Sequence, residues 1–145
     1  MTTINGVRGE LAAPSLTVVI PTYRREGVLI DTLRFLAALP TRAHEILVLD
    51  QSERHEDGTF EALNWLSESG EIRWLKLSEP SIPKSMNRGL QEARTDVVLF
   101  LDDDIRPEAG LVAAHAYAHT QRTDSLIAGR VIQPWQEGLD FSSDE

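Results

Sequence analysis

The stretch Val97-Val98-Leu99-Phe100-Leu101-Asp102-Asp103-Asp104-Ile105-Arg106-Pro107 decides how the chain is read. Five consecutive apolar residues, rich in β-formers, run directly into three carboxylates and then a proline. An apolar run of this length fits a strand buried on both faces, as in a parallel sheet covered by helices. Side chains alternate along an extended chain, which sends Asp102 and Asp104 to one side and Asp103 to the other. Three neighbouring carboxylates repel one another, and a divalent cation or a proton relieves that repulsion. An Asp-x-Asp pair aimed at one point suits a hard cation with oxygen ligands. Mg²⁺ or Mn²⁺ in such a site takes one or two carboxylates and leaves positions for substrate phosphates. The plainer alternative is that these aspartates end a strand and cap a helix opening near Pro107.

The rest of the composition narrows the setting. With 145 residues, 41% hydrophobic and 26% charged, the chain has the size and balance of one globular domain. Its net charge of −9, from 23 acidic against 14 basic residues, comes without any basic run and disfavours a nucleic-acid partner. The absence of cysteine excludes a disulfide framework and thiolate metal sites. Residues 1–14 are polar and lack the apolar core of a signal peptide, and no run reaches the length of a membrane span. The expectation is a cytoplasmic protein with a loose arm over 1–14, one domain over 15–136 and an acidic tail over 137–145. A longer form attached peripherally to a membrane is compatible with this.

In chain order, Leu16–Ile20 reads as a first buried strand stopped by Pro21-Thr22-Tyr23. A helix follows over Gly27–Leu39, with Leu29, Leu33 and Leu36 on one face and Pro40 ending it. Ile46–Leu49 is a second strand closed by Asp50-Gln51-Ser52. A second helix spans Thr59–Ser69, with Phe60, Leu63 and Leu66 inward and Gly70 just past its end. Ile72–Leu77 is a third strand, placed near a sheet edge by Arg73 and Lys76. Lys84–Ala93 is a short third helix, Pro107–Arg122 a fourth, and Leu126–Ile132 a fifth strand. Strands alternating with helices argue a parallel α/β sheet with right-handed crossovers.

Three apolar strands therefore end in polar residues: Pro21-Thr22-Tyr23-Arg24, Asp50-Gln51-Ser52 and Asp102-Asp103-Asp104. Ligands of open α/β sheets bind outside the carboxyl ends of the strands, so a crevice there is the expected site. A diphosphate is a ligand that needs a metal pair, since the cation neutralises its charge as a bond to it breaks. Thr22 offers a hydroxyl, Tyr23 an aromatic wall for a base, and Asp50 an acceptor for a base or ribose. Lys84, one of two lysines, is in reach of a phosphate. Taken singly, Thr22, Tyr23 and Asp50 are equally ordinary turn and cap residues.

These segments, together with Glu45–Asp50 and Asn87-Arg88-Gly89-Leu90, resemble the family 2 glycosyltransferases of the GT-A fold. The resemblance runs from about Leu16 to Pro134, with the elements in the family's order. It implies a Rossmann-like, mostly parallel sheet with helices on both faces. It also implies inverting transfer of a sugar from a UDP- or GDP-linked donor to a glycan, lipid or small-molecule hydroxyl. Pro21, Thr22, Tyr23 and Arg24 would line the nucleotide sugar, with Thr22 and Tyr23 flanking the base and Asp50 holding its polar edge. Asp102 and Asp103 would contact ribose, phosphate or metal-bound water. Asp102 and Asp104 would hold Mn²⁺ or Mg²⁺, Asp104 most directly. Asn87 matches the asparagine of the family's Arg-Asn-x-Gly segment; Met86 replaces the arginine, and Lys84 is the substitute cation. Family members continue well past this length, and their second half carries an acidic pair that deprotonates the acceptor. Glu137, Asp140, Asp144 and Glu145 sit in no comparable context, so the chain reads as the donor-binding half, truncated before the general base.

Three rival functions follow from the same residues. A non-catalytic module would bind nucleotide or dock a partner without chemistry. A phosphoacceptor receiver would need an acidic pair where Pro21-Thr22-Tyr23 stands, and a nucleotidyltransferase a glycine-rich loop after the first strand. His115 and His119, four apart, could ligate a metal, but a solvated helix face is the simpler reading. Trp65, Trp74 and Trp135 read as core, although Trp135 could instead stack on a sugar ring.

Overall fold

The computed structural model describes residues 12–136. Four strands, β1 (Leu16–Thr22), β2 (Glu45–Asp50), β3 (Arg73–Lys76) and β4 (Val97–Phe100), form one sheet in the order β3-β2-β1-β4, with every neighbouring pair parallel. Four helices connect or follow them: α1 (Gly27–Ala37), α2 (Asp57–Glu68), α3 (Ile82–Glu92) and α4 (Leu111–Gln121). A short 3-10 turn, Pro134–Gln136, closes the described chain. The apolar runs become the central strands because both faces of β1 and β2 are covered, and residues 16–20 and 46–50 are all buried.

Alternation splits the interior in two. Val18, Ile20, Ile46 and Val48 pack with Leu29, Leu33 and Leu36 of α1, Leu63 of α2 and Val112 of α4. Val19, Leu47 and Leu49 face the other way with Phe100 and Val98, under α3. Gly89 lets α3 lie against that second face: a Cβ there would fall 2.7 Å from Val19 Cγ1 and 3.2 Å from Phe100 Cε1. Pro83 falls in the first turn of α3, where its missing N–H costs nothing, and the Ser81 hydroxyl accepts from Lys84 N. Gly70 takes φ +78° just after α2, the left-handed geometry expected of a C-terminal glycine.

The order of strands sets the site. The chain moves outward from β1 to β2 to β3 and then returns to the opposite side of β1 as β4. The point where the connections diverge lies between β1 and β4, and at the carboxyl ends of the strands there open α/β sheets bind their ligands. Register brings Thr22 beside Asp50 and Val19 beside Phe100, so Asp102 to Asp104 emerge level with the end of β1. β3 is an edge strand, as its Arg73 and Lys76 suggested.

Several sequence expectations change. Leu126–Ile132 forms no strand: it has no ladder partner, and Leu126, Val131 and Ile132 are exposed. An apolar run becomes a strand only where a neighbour supplies hydrogen bonds, and β4 has none on its outer side among the described residues. Phe60 is half exposed and points to β3, where its ring meets Trp74 edge-on at 5.7 Å. Trp65 and Trp135 are 64% and 78% exposed, so neither is core; only Trp74 packs against the interior. His115 is buried, not solvated, and sits 3.3 Å from where a side chain at Gly129 would begin. Residues 137–145, with the acidic tail and its four carboxylates, and most of the proposed 1–14 arm lie outside the described residues.

Candidate nucleotide-sugar site

The end of β1 turns sharply through a loop of three exposed residues. Arg24 has φ +52°, the left-handed region that a non-glycine residue enters only when its surroundings hold it. Its backbone N–H donates to Ser52 Oγ at 2.8 Å, and its guanidinium lies 4.9 Å over the Tyr23 ring. Across the gap, Gln51 N donates to Thr22 O at 2.9 Å, and Gln51 Oε1 accepts from Ser81 N at 2.6 Å. The ends of β1 and β2 and the start of α3 are thus stitched into one rim.

On the β4 side, Leu101 N continues the ladder to Val19 O at 3.0 Å before the aspartates diverge. Asp103 turns inward and is buried, while Asp102 and Asp104 are exposed. Thr22 Oγ1 donates to Asp103 Oδ2 at 2.7 Å, and Thr32 Oγ1 of α1 donates to the backbone oxygens of Asp103 (3.0 Å) and Ile105 (3.2 Å). Arg25 spans the cluster, with Nε 3.5 Å from Asp103 Oδ1 and an Nη 3.4 Å from Asp104 Oδ2. Burial raises the Asp103 carboxyl above its ordinary value, opposed by Thr22 and the charge of Arg25 and reinforced by Asp104 and Asp102.

The sequence-assigned residues therefore fall into an outer and an inner set. Tyr23, Arg24, Lys84, Asn87, Asp102 and Asp104 are exposed and Pro21 is half-buried, whereas Thr22, Asp50 and Asp103 are buried. Two expectations of direct base contact change accordingly. The Thr22 hydroxyl is spent on Asp103. The Asp50 side chain is 0% exposed, and its oxygens are taken by protein donors. Ser52 N donates to Oδ1 at 2.9 Å, and Trp74 Nε1 (3.0 Å), Lys76 Nζ (3.1 Å) and His55 Nε2 (2.8 Å) meet Oδ2. Burial alone pushes Asp50 up, but the Ser52 backbone N–H, His55 and Lys76 outweigh it and hold the carboxyl below its ordinary value. Asp50 thus ties the end of β2 to β3 and to the β2–α2 loop. Lys84 is at the rim, on the first turn of α3, and is ion-paired with Glu79.

Sequence reading placed Gln51 and Ser52 at a strand end without a role of their own and assigned none to Arg25, His55 or Glu26. Arg25 adjoins the assigned Arg24 and was within reach of the same argument. Nothing local signals the pairing of His55 with Glu26, 29 residues away.

No three His, Cys, Asp or Glu side chains converge on one point among the described residues. The two exposed carboxylates still fit a cation of the Mg²⁺ or Mn²⁺ kind, which needs only one or two protein oxygens when a diphosphate supplies others. With Asp103 buried, Asp102 and Asp104 are the exposed members of the triplet, Asp104 with Arg25 beside it.

Carboxylates at the end of one strand and an aromatic residue at the end of the next stand at the switch point where open α/β sheets bind their ligands. The family model of glycosyl transferase family 2 matches residues 17–145, and the chain belongs to that family. An uncharacterized glycosyltransferase, YfnE of Bacillus subtilis (strain 168), is 28% identical over 115 residues, covering 78% of this chain and 29% of its own length. The fold is similar to that of the mannosyltransferase PcManGT of Pyrobaculum calidifontis, solved with GDP-Man and Mn²⁺. Here the TM-score is 0.58 and the identity 22%, over 69% of this chain and 30% of that one. It is also similar to S. aureus TarS residues 1–349 in complex with UDP-GlcNAc, with a TM-score of 0.61 and 22% identity over 75% and 32% of the two chains. The fold is thus the GT-A type. The chain spans about 30% of the length of these relatives.

Proposed function

We propose that the crevice binds the nucleotide diphosphate of a UDP- or GDP-linked sugar together with Mn²⁺ or Mg²⁺. The whole protein then transfers the sugar, with inversion, to an acceptor hydroxyl. The observation that carries this reading is the Thr22–Asp103 hydrogen bond. It holds the central aspartate inward, which supports assigning the exposed Asp102 and Asp104 to the metal. Membership of the family supports sugar transfer, and the GDP-Man, Mn²⁺ and UDP-GlcNAc complexes of the structural relatives support the donor class.

In this reading the outer residues touch the donor and the inner ones hold them. Tyr23 offers a ring wall to the base, with Pro21 beside it and Arg24 near enough to the ring to add a cation. Asp102 and Asp104 would hold the divalent ion, and Asp102 can also accept from ribose. A bound cation supplies charge neutralisation to the leaving diphosphate. Lys84 exchanges Glu79 for a phosphate oxygen, and Asn87 presents its amide from the same helix. Inverting transfer also requires a general base against the acceptor hydroxyl, and none of the residues assigned to this crevice has that role.

The test is calorimetric titration of the chain with UDP and with GDP, each with Mn²⁺, with Mg²⁺ and with EDTA. One of the nucleotides is expected to bind at least tenfold more tightly with metal, and Asp104→Asn to erase the difference. Equal affinity with and without metal would remove Asp102 and Asp104 from the metal role.

A further inference from the structure

The β2–α2 loop carries an imidazole with an unusual pair of neighbours. The His55 side chain is 0% exposed, yet each ring nitrogen faces a carboxylate: Nε2 lies 2.8 Å from Asp50 Oδ2 and Nδ1 3.1 Å from Glu26 Oε1. Burial pushes both carboxyls up, but hydrogen bonds outweigh it at each, from the Ser52 backbone, His55 and Lys76 at Asp50 and from Thr59, His55 and the Glu56 backbone at Glu26. Both carboxyls therefore lie below their ordinary values and stay ionised at neutral pH, and an ionised carboxylate only accepts. The ring lies between the two carboxylates, within hydrogen-bond reach of each. Lys76 sits on the same Asp50 oxygen from β3, and the Trp74 ring is 6.3 Å away.

The two carboxylates belong to the two loops that frame the crevice. Glu26 follows directly on Tyr23-Arg24-Arg25 and precedes α1, and its second oxygen accepts from Glu56 N at the start of α2. Asp50 ends β2 and precedes Gln51 and Ser52, whose side chains reach the β1 loop and the start of α3. Among the described residues, His55 is the one side chain bonded to both carboxylates. We propose that His55 is a positioning residue for the donor site: bonded through both ring nitrogens, it ties the Tyr23–Glu26 loop to the end of β2. That tie sets the spacing between Arg24 and Arg25 on one side and Ser52 on the other. The inference rests on the nucleotide-binding reading above and adds to it a residue that never touches the ligand.

Three measurements on the chain test it. Nitrogen-15 NMR of the parent is expected to show His55 ring signals that shift when UDP or GDP is added with Mg²⁺. His55→Gln and Glu26→Gln are each expected to weaken that nucleotide about tenfold, the scale of one charge-assisted hydrogen bond, while the melt stays cooperative. The double variant should lose little more than either single one, because each removes the same tie. Glu26→Gln keeps the histidine in place, so it reports even if His55→Gln does not fold. Ring signals unmoved by a nucleotide that binds, or variants that melt earlier but bind nucleotide as the parent does, would overturn the positioning role while leaving the crevice reading intact. A parent that binds neither nucleotide would overturn both.

Discussion

His115 shows how one residue can invert its expected place. On α4 it was expected in solvent with His119. It is buried instead, beside Gly129, and burial first, then the charge of His119, lowers its pKa below the ordinary 6.5. A histidine whose folded pKa is depressed takes up its proton in the unfolded chain first. Its contribution to stability is therefore fully present above 6.5 and is lost as pH falls through the folded value. The parent's thermal midpoint should drop between pH 7 and pH 5 by roughly 2–5 °C more than that of His115→Gln. Identical pH slopes for the two proteins, measured by circular dichroism, would mean that His115 titrates alike in both states.

At the scale of elements, α3 is held to the sheet by the absence of a side chain. A methyl at position 89 would overlap Val19, a fully buried residue of the central strand with no space to retreat. Gly89→Ala should cost about 1–3 kcal/mol in urea denaturation, the range for overpacking a filled core. Gly58→Ala, in α2 with nothing within 4 Å of the new methyl, is the matched control and should be neutral or stabilising. A cost shared equally by the two would point to helix chemistry and not to contact with the sheet. β1, β2 and β4 were legible in the sequence because strands covered on both faces write continuous apolar runs. Alternation set Asp103 apart from Asp102 and Asp104, but not which side faces inward. Leu126–Ile132 was misread because strand formation depends on a neighbour that periodicity cannot show. Phe60 and Trp65 were misread because large apolar residues also occupy helix surfaces. The inward commitment of Asp50 was hidden for a third reason: His55, Trp74 and Lys76 reach it from loops and strands up to 26 residues away.

The molecule as a whole has unequal sheet edges. β3 carries Arg73 and Lys76, charges that discourage pairing with another strand, whereas β4 is Val-Val-Leu-Phe throughout. Its outer edge is unpaired among the described residues. The net charge of −9 opposes association between copies, and salt screens that repulsion. Sedimentation of the chain should show mass growing with concentration, and more so at 0.5 M than at 0.05 M salt, where the screening length falls from about 14 to about 4 Å. A constant monomer mass across both conditions would show that the β4 edge is protected. The three indoles are also unequal. Trp65 and Trp135 stand in water, while Trp74 lies partly inside with its N–H on Asp50 and its ring beside His55. The light emitted from Trp74 is therefore separable in colour and in access to quenchers from the other two. It reports on the surroundings of Asp50 and His55, an optical gauge of the end of β2 that needs no label.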